Sequence, residues 1–237
     1  MDQDIKSQIQ RTKDLLIELN DSCNSDLKTK TASEKTKNLT QEVLLKMRHV
    51  MDQAIHRFFE KEISPKLTTE QRKKAMVYFP FAKDKQSLKS TLGRGMMTDL
   101  ETTNPSIYKI IESIQPYNPG YQWMADLAEY SNEKHIRLTP QEISEENETE
   151  LGIGGHAIIK IGRKASVKMK GCEINGVPID ADNINTAPLH SFDPRLNVHR
   201  KTWISFNFQG TSTNILVLAN TAINELEGIL RKLFKEF

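Results

Sequence analysis

Two cysteines, Cys23 and Cys172, are all that the 237 residues contain. That number builds neither a disulfide framework nor a four-ligand zinc site, so composition implies neither secretion nor a structural metal. Long apolar runs are missing too. No stretch approaches bilayer-spanning length, and the opening MDQDIKSQIQ is too polar for a signal peptide; both predict a cytoplasmic protein with no membrane association. A surplus of one charge is also absent. Lys and Arg number 33 against 31 Asp and Glu, a net +2, so no whole-molecule field drives nucleic-acid binding and any such binding has to be local. No internal repeat period is found. What is present is 37% hydrophobic and 27% charged residues at a mean hydropathy of -0.55, the composition of a polar folded protein with a modest core.

Residues 1–60 predict a hairpin of two helices. Ile5, Ile9, Leu15, Leu16 and Leu19 recur at helical spacing, and the Ser-, Thr-, Lys- and Asn-rich stretch 21–38 reads as the connection. The second helix opens with Asn38 or Thr40 as N-cap and carries Val43, Leu44, Met47, Val50, Met51, Ala54, Ile55, Phe58 and Phe59 on one face. It should stop near Ser64-Pro65, because the residue before proline is pushed out of the helical region. Residues 65–86 are basic and broken. Lys66, Arg72, Lys73, Lys74, Lys83 and Lys85 surround Val77-Tyr78-Phe79-Pro80-Phe81, an apolar cluster whose proline predicts an extended plug at an edge of the helical core. Short helices are expected over 85–92, 105–114 and 121–132, with Gln115-Pro116-Tyr117 opening the loop between the last two.

Beyond Pro140 the pattern changes. Glu142, Glu145, Glu146, Glu148 and Glu150 read as a solvated loop. Strand-like runs follow at 156–161, 165–169, 173–179 with an Asn175-Gly176 turn signal, and 202–208. The last segment, 214–237, places ten apolar residues from Ile215 to Phe234 at helical spacing, capped by Ser212 or Thr213. The fold class expected is mainly α, α+β overall. It comprises a helical bundle over 1–140, a small antiparallel β insertion over 151–210, and a terminal helix, 213–237, packing back on the bundle. That helix carries more apolar surface than one neighbour covers, which points to a homodimer.

Chemistry-bearing residues collect in two places. Arg48, Asp52 and His56 form a slowly drifting polar stripe beside the apolar face of the second helix. It reads either as a surface ion pair with His56 at its edge or as a buried polar cluster whose arginine needs partners. Around the end of the 121–132 helix, Asn132 serves as a stop, while Lys134, His135 and Arg137 complement the negative end of the helix dipole. His190, Asp193 and His199 lie in one apparent loop and predict no metal site. Gly152-Ile153-Gly154-Gly155 follows no strand and precedes no helix, so it reads as a turn and not as a dinucleotide fingerprint. Lys160, Arg163, Lys164, Lys168 and Lys170 make a basic hairpin, either a solvated face or a phosphate track. No cofactor is implied.

Taken in order, Met47-Arg48-His49-Val50-Met51-Asp52, Phe79-Pro80, Gln115-Pro116-Tyr117 and Leu127-x-x-x-Ser131-Asn132-Glu133-Lys134-His135 resemble a group of largely uncharacterised bacterial and phage-borne proteins. Their blocks read Leu-Arg-x-x-Leu-Asp-His, Phe-Pro, Gln-Pro-Tyr and Leu-x-x-Leu-x-Asn-x-Asp-Lys-His-Arg. The likeness covers about residues 39–140, and the terminal helix is in keeping. That group in turn resembles the HEPN helical domains, many of which cut RNA without metal at an Arg-x4-6-His motif completed by dimerisation. There the histidine moves the proton of the ribose 2′-hydroxyl and the arginine stabilises charge on the phosphate. The group's block has histidine five positions after arginine; here that position is Gln53, which cannot serve as a general base.

The resemblance implies an RNA-targeting protein of bacterial defence or toxin type, as an enzyme a metal-independent endoribonuclease with Arg48, His56 and His135 as catalytic groups. The alternative is a catalytically inactive binding or scaffold module acting through a protein or nucleic-acid partner. In it Arg48, Asp52, Gln115, Tyr117, Asn132, Lys134 and His135 form a polar network that pins the helices.

Overall fold

The computed structural model describes residues 2–132, 141–163 and 165–237. Among them are eight α-helices: α1 (Gln3–Asp26), α2 (Glu34–Phe58), α3 (Thr69–Lys74), α4 (Lys85–Arg94), α5 (Leu100–Thr103), α6 (Pro105–Ser113), α7 (Trp123–Asn132) and α8 (Ile215–Leu233). Five strands lie between α7 and α8: β1 (Gln141–Ile153), β2 (His156–Ile161), β3 (Met169–Ile174), β4 (Val177–Ala181) and β5 (Asn197–Phe208). The chain is therefore mainly helical and α+β overall. Two compact units divide it, one of Met1–Glu142 with Phe206–Phe237 and one of Ile143–Ser205. No helix among the described residues is long and apolar enough to cross a membrane.

The α1–α2 hairpin is tighter than its composition predicts. The polar stretch 21–38 is mostly helix, with α1 running to Asp26 and α2 starting at Glu34 under Ser33 as N-cap, not Asn38 or Thr40. The reason is mutual satisfaction of its polar groups. Asp26 Oδ2 accepts from the Ser33 amide at 2.7 Å and the Thr36 hydroxyl at 2.6 Å, and the Ser22 and Thr36 hydroxyls meet at 2.7 Å. These polar side chains can be buried because each has a partner. Past Phe58, α2 widens into a π-helical turn, Phe59–Ile63, then tightens into a 3-10 turn, Ser64–Lys66, at the proline that was expected to stop it.

Along α2, Val43, Leu44, Met47, Val50, Met51, Ala54, Ile55 and Phe58 are all buried. Truncating one of the larger of these to alanine costs roughly 2–5 kcal/mol, so α2 is the spine of the helical unit. The terminal helix packs on α1, α2 and α7, with Asn214 as its cap instead of Ser212 or Thr213, and Lys13 meets Glu227 at 2.8 Å. Its stripe from Ile215 to Leu233 is buried within this one chain, and of its large apolar residues Val217 is the exposed exception. The surplus apolar surface that pointed to a homodimer is thus covered by four helices, α6 included, instead of one.

In the strand-rich unit the sheet order is β2-β1-β5, with β3-β4 as a separate antiparallel hairpin. The glutamate-rich segment is not a loop. It is β1, beginning at Gln141, because neighbouring strands supply the missing partners: Glu148 meets Lys160 at 3.1 Å and Asn147 accepts from Thr202 at 2.7 Å. Residues 165–168 are not strand, and the run 173–179 divides at Asn175-Gly176, both at positive φ, as a hairpin turn requires. Gly154 and Gly155, at φ 62° and 86°, turn β1 into β2. Leu151, Ile161, Val177, Ile179, Ile184 and Phe192 give this unit a core of its own.

The two thiols differ in kind. Cys23 is 1% exposed, and burial, helped by the charge of Asp26, pushes its thiol up to about 12, whereas Cys172 is exposed. Because the thiolate is the nucleophile, a thiol reagent at mildly alkaline pH is expected to modify Cys172 promptly and Cys23 only as the helical unit opens. Equal labelling rates would contradict the packing of α1 on α2.

Candidate functional site

Arg48 and Asp52, two of the three members of the polar stripe of α2, face an extended segment. Residues 75–82 form no regular element, yet Phe79, Pro80 and Ala82 are buried. Three side chains from two helical elements grip them. Asp52 Oδ1 accepts from the Phe79 amide at 2.7 Å. Gln115, wholly buried just after α6, accepts from the Ala82 amide at 2.9 Å and donates to the Pro80 carbonyl at 2.9 Å. Arg48 lays its guanidinium over the Phe81 ring, 4.3 Å from the centroid, with Nε 3.5 Å from Asp52 Oδ2. Phe81 meets Phe79 edge-on at 5.3 Å.

The residue types follow from what the segment presents. An extended chain offers the carbonyl of one residue and the amide of the second residue after it along one edge, and a glutamine amide carries one acceptor and two donors. Gln115 therefore does for Pro80 and Ala82 what an adjacent strand would, and its second donor goes to the Ile111 carbonyl at 2.9 Å. A glutamate there would place a carboxylate against a carbonyl. Pro80 has no amide to satisfy, which suits it to the position between the two anchored amides. Asp52 adds the charge that a buried arginine needs, and Arg48 in turn stacks on an aromatic face.

Burial, the largest effect, raises the Asp52 carboxyl above its ordinary range, while the Phe79 amide and Arg48 pull it back down. Tyr117 is pushed up to about 12, by burial first and then by the charge of Glu112, so its hydroxyl stays protonated at physiological pH. It sits beside Glu112, which itself meets Lys85 at 3.1 Å, and not on Arg48.

Of the residues singled out from sequence, the structure brings Arg48, Asp52 and Gln115 onto one segment. It does not bring His56 to Arg48. His56 is 56% exposed, 3.9 Å from Glu60, and lines a groove of about 650 Å³ with Gln53, Arg57, Phe234 and Phe237. It lies eight positions after Arg48 along the helix, a rise of about 12 Å. Gln53, at the position where the resembled block has histidine, meets His49 Nε2 at 2.9 Å. Asn132 is the last residue of α7; its side chain, with Lys134 and His135, lies outside the described residues.

Most of the remaining candidates have partners within their own unit; Lys164 lies outside the described residues. Asp193 is held by Arg195 through side chain and backbone, which lowers its carboxyl to about 2, while His190 is in a 3-10 turn and His199 is in β5 and not in a loop. In the basic hairpin, Lys160 pairs with Glu148, Lys168 and Lys170 with Asp182, and Arg163 stacks on Trp203 at 4.7 Å. Sequence reading placed Phe81 in the apolar plug but missed its contact with Arg48, and missed Ala82 altogether. The available signal was the pairing of the Phe-Pro and Gln-Pro-Tyr blocks. Compared with protein-family models, curated proteins and solved structures, the chain matches none.

Two outcomes test the grip. Gln115→Ala is expected to lower stability by roughly 2–4 kcal/mol in denaturant melts, from stranding the Pro80 carbonyl and Ala82 amide. A loss under about 0.5 kcal/mol would mean that water replaces the amide. For Asp52 the sign follows from its raised carboxyl: the folded state binds the proton more tightly than the unfolded state. Its contribution is fullest below the ordinary carboxylate range and diminishes as pH rises through the elevated value. The stability difference between the protein and Asp52→Asn should therefore shift in the variant's favour as pH climbs from the acid side. Shift in the opposite direction would mean that Arg48 and the Phe79 amide outweigh burial.

Proposed function

We propose that this chain is a HEPN-like, RNA-directed helical module of bacterial defence or toxin type that binds without cutting, its arginine block having become an internal lock. One observation carries the reading. Arg48, the residue that the resemblance assigns to the scissile phosphate, faces Asp52 and Phe81, and Asp52 and Gln115 hold the neighbouring backbone. A residue so employed supports the fold first. Gln53 in place of the expected histidine supports the same reading, since an amide has no group that titrates near neutral pH and cannot act as a general base.

One detail favours the endoribonuclease reading. Arg48 Nη1 is buried with no hydrogen-bond acceptor among the described residues, and Nε, though ion-paired with Asp52 at 3.5 Å, makes no hydrogen bond there. An incoming phosphate could use them only if the segment over Arg48 moved aside.

The expected outcome with purified protein and a long RNA substrate is intact RNA with or without chelator. Arg48→Ala should lower stability by about 1–3 kcal/mol, discounted for its partial exposure. Chelator-resistant cleavage that disappears in a folded Arg48→Ala variant would overturn the non-cutting reading.

A further inference from the structure

We propose that the face formed by α3, the exposed part of the 75–82 segment and the outer side of α4 is a docking surface for single-stranded RNA. The proposal rests on the RNA-directed reading above and names where the strand lies. Residues 65–94 carry eight cations against Glu70 and Asp84, a local +6 in a chain whose remainder is -4. Two of the eight are neutralised, Lys85 by Glu112 and Lys89 by Glu101, both at 3.1 Å. Lys66, Arg72, Lys73, Lys74, Lys83 and Arg94 are exposed and have no ion-pair partner among the described residues. In contrast, Lys160, Lys168 and Lys170 of the basic hairpin all have carboxylate partners.

The elements that carry Arg72, Lys73, Lys74, Lys83 and Arg94 are joined to one another. The Met76 amide donates to the Arg94 carbonyl at 2.9 Å, joining the end of α3 to the end of α4. Lys83 and Arg94 line one groove of about 410 Å³ with Gln86, Ser87, Ser90 and Thr91 between them. Its one carboxylate, Asp84, is occupied as the cap of α4, accepting from the Ser87 amide at 2.7 Å. Cations flanking hydroxyl and amide groups are suited to hold a phosphodiester backbone, although the Thr91 hydroxyl already donates to the Ser87 carbonyl at 2.9 Å. Beside them Tyr78 is 58% exposed and Met76 60%, although their neighbour Phe79 is 1% exposed. An exposed aromatic beside a basic track gives a base a face to stack on, which a duplex withholds.

A membrane surface fits less well. Interfacial helices insert an apolar face, but the apolar side of α4, Leu88 and Leu92, is already buried in the protein.

The test is fluorescence anisotropy with a fluorescein-labelled oligouridylate, competed by duplex RNA and by phosphatidylserine vesicles, using the full chain. Lys73→Glu/Lys74→Glu/Arg94→Glu is expected to weaken binding at least tenfold. Lys28→Glu/Lys232→Glu/Lys235→Glu, an equal charge change elsewhere on the helical unit, should stay within twofold. Tyr78→Ala should lose about fivefold or more. For about four neutralised phosphates, raising salt from about 50 to 200 mM should weaken the unmodified chain about fiftyfold, and the patch variant less steeply. Equal losses in both charge variants, capture by vesicles with no RNA binding, or full affinity in the patch variant would each overturn the surface. The bound probe is also run on a denaturing gel: Arg48-dependent cutting with patch-dependent binding would overturn the non-cutting reading and leave the surface standing.

Discussion

An extended chain crossing a helical core exposes amides and carbonyls that water can no longer reach, and each one left bare costs on the order of 1–3 kcal/mol. The chain meets that constraint at Phe79–Ala82 with side chains in place of a neighbouring strand. Asp52 takes one amide, Gln115 takes another and returns a donor to the carbonyl between them, and Arg48 closes over the aromatic ring. α2 and the end of α6 are thus tied through a segment that belongs to neither. The site's residues can be understood only together, because Arg48 without Asp52 would be an uncompensated cation, and Phe79 without Asp52 a bare amide.

On the function proposed above, this arrangement separates two roles that the resemblance to HEPN domains fuses. There, an arginine on a helix meets RNA at the same place where it meets its histidine. Here the arginine is turned to Asp52 and the Phe81 ring, while Lys66, Arg72, Lys73, Lys74, Lys83 and Arg94 lie before and after the same segment, on and around α3 and α4. The segment is thus anchored on its inner side by Asp52 and Gln115, and presents Met76 and Tyr78 to solvent just before its anchored part. Holding those side chains in one place lowers the ordering cost of any contact they make.

Much of the fold is legible from periodicity. The apolar stripes of α1, α2 and α8 announce themselves because packing demands one apolar face per helix, and Pro65 and Pro105 mark boundaries for steric reasons local to the chain. The failures share a cause: polar residues whose partners are distant. The stretch 21–38 reads as linker until Asp26 is seen bonding Thr36, and the glutamates of β1 read as loop until Lys160 is seen facing Glu148. In the site, Arg48 and Asp52 are recognisable as a pair from their spacing. Gln115, too, stands out by its block. That all three converge on Phe79–Ala82 is a tertiary fact, since 27 residues separate Asp52 from Phe79 and 33 separate Ala82 from Gln115. His56 misled for the converse reason: it shares a helix with Arg48 but not a groove.

Native-state hydrogen exchange at two amides tests the central claim most directly. If Asp52 and Gln115 hold the segment as described, the Phe79 and Ala82 amides exchange as slowly as the buried amides of α2, opening only when the helical unit opens. Exchange of either amide at the rate of the exposed residues before it, with α2 still protected, would show the segment to be loosely laid on the surface and would remove the lock on which the account rests.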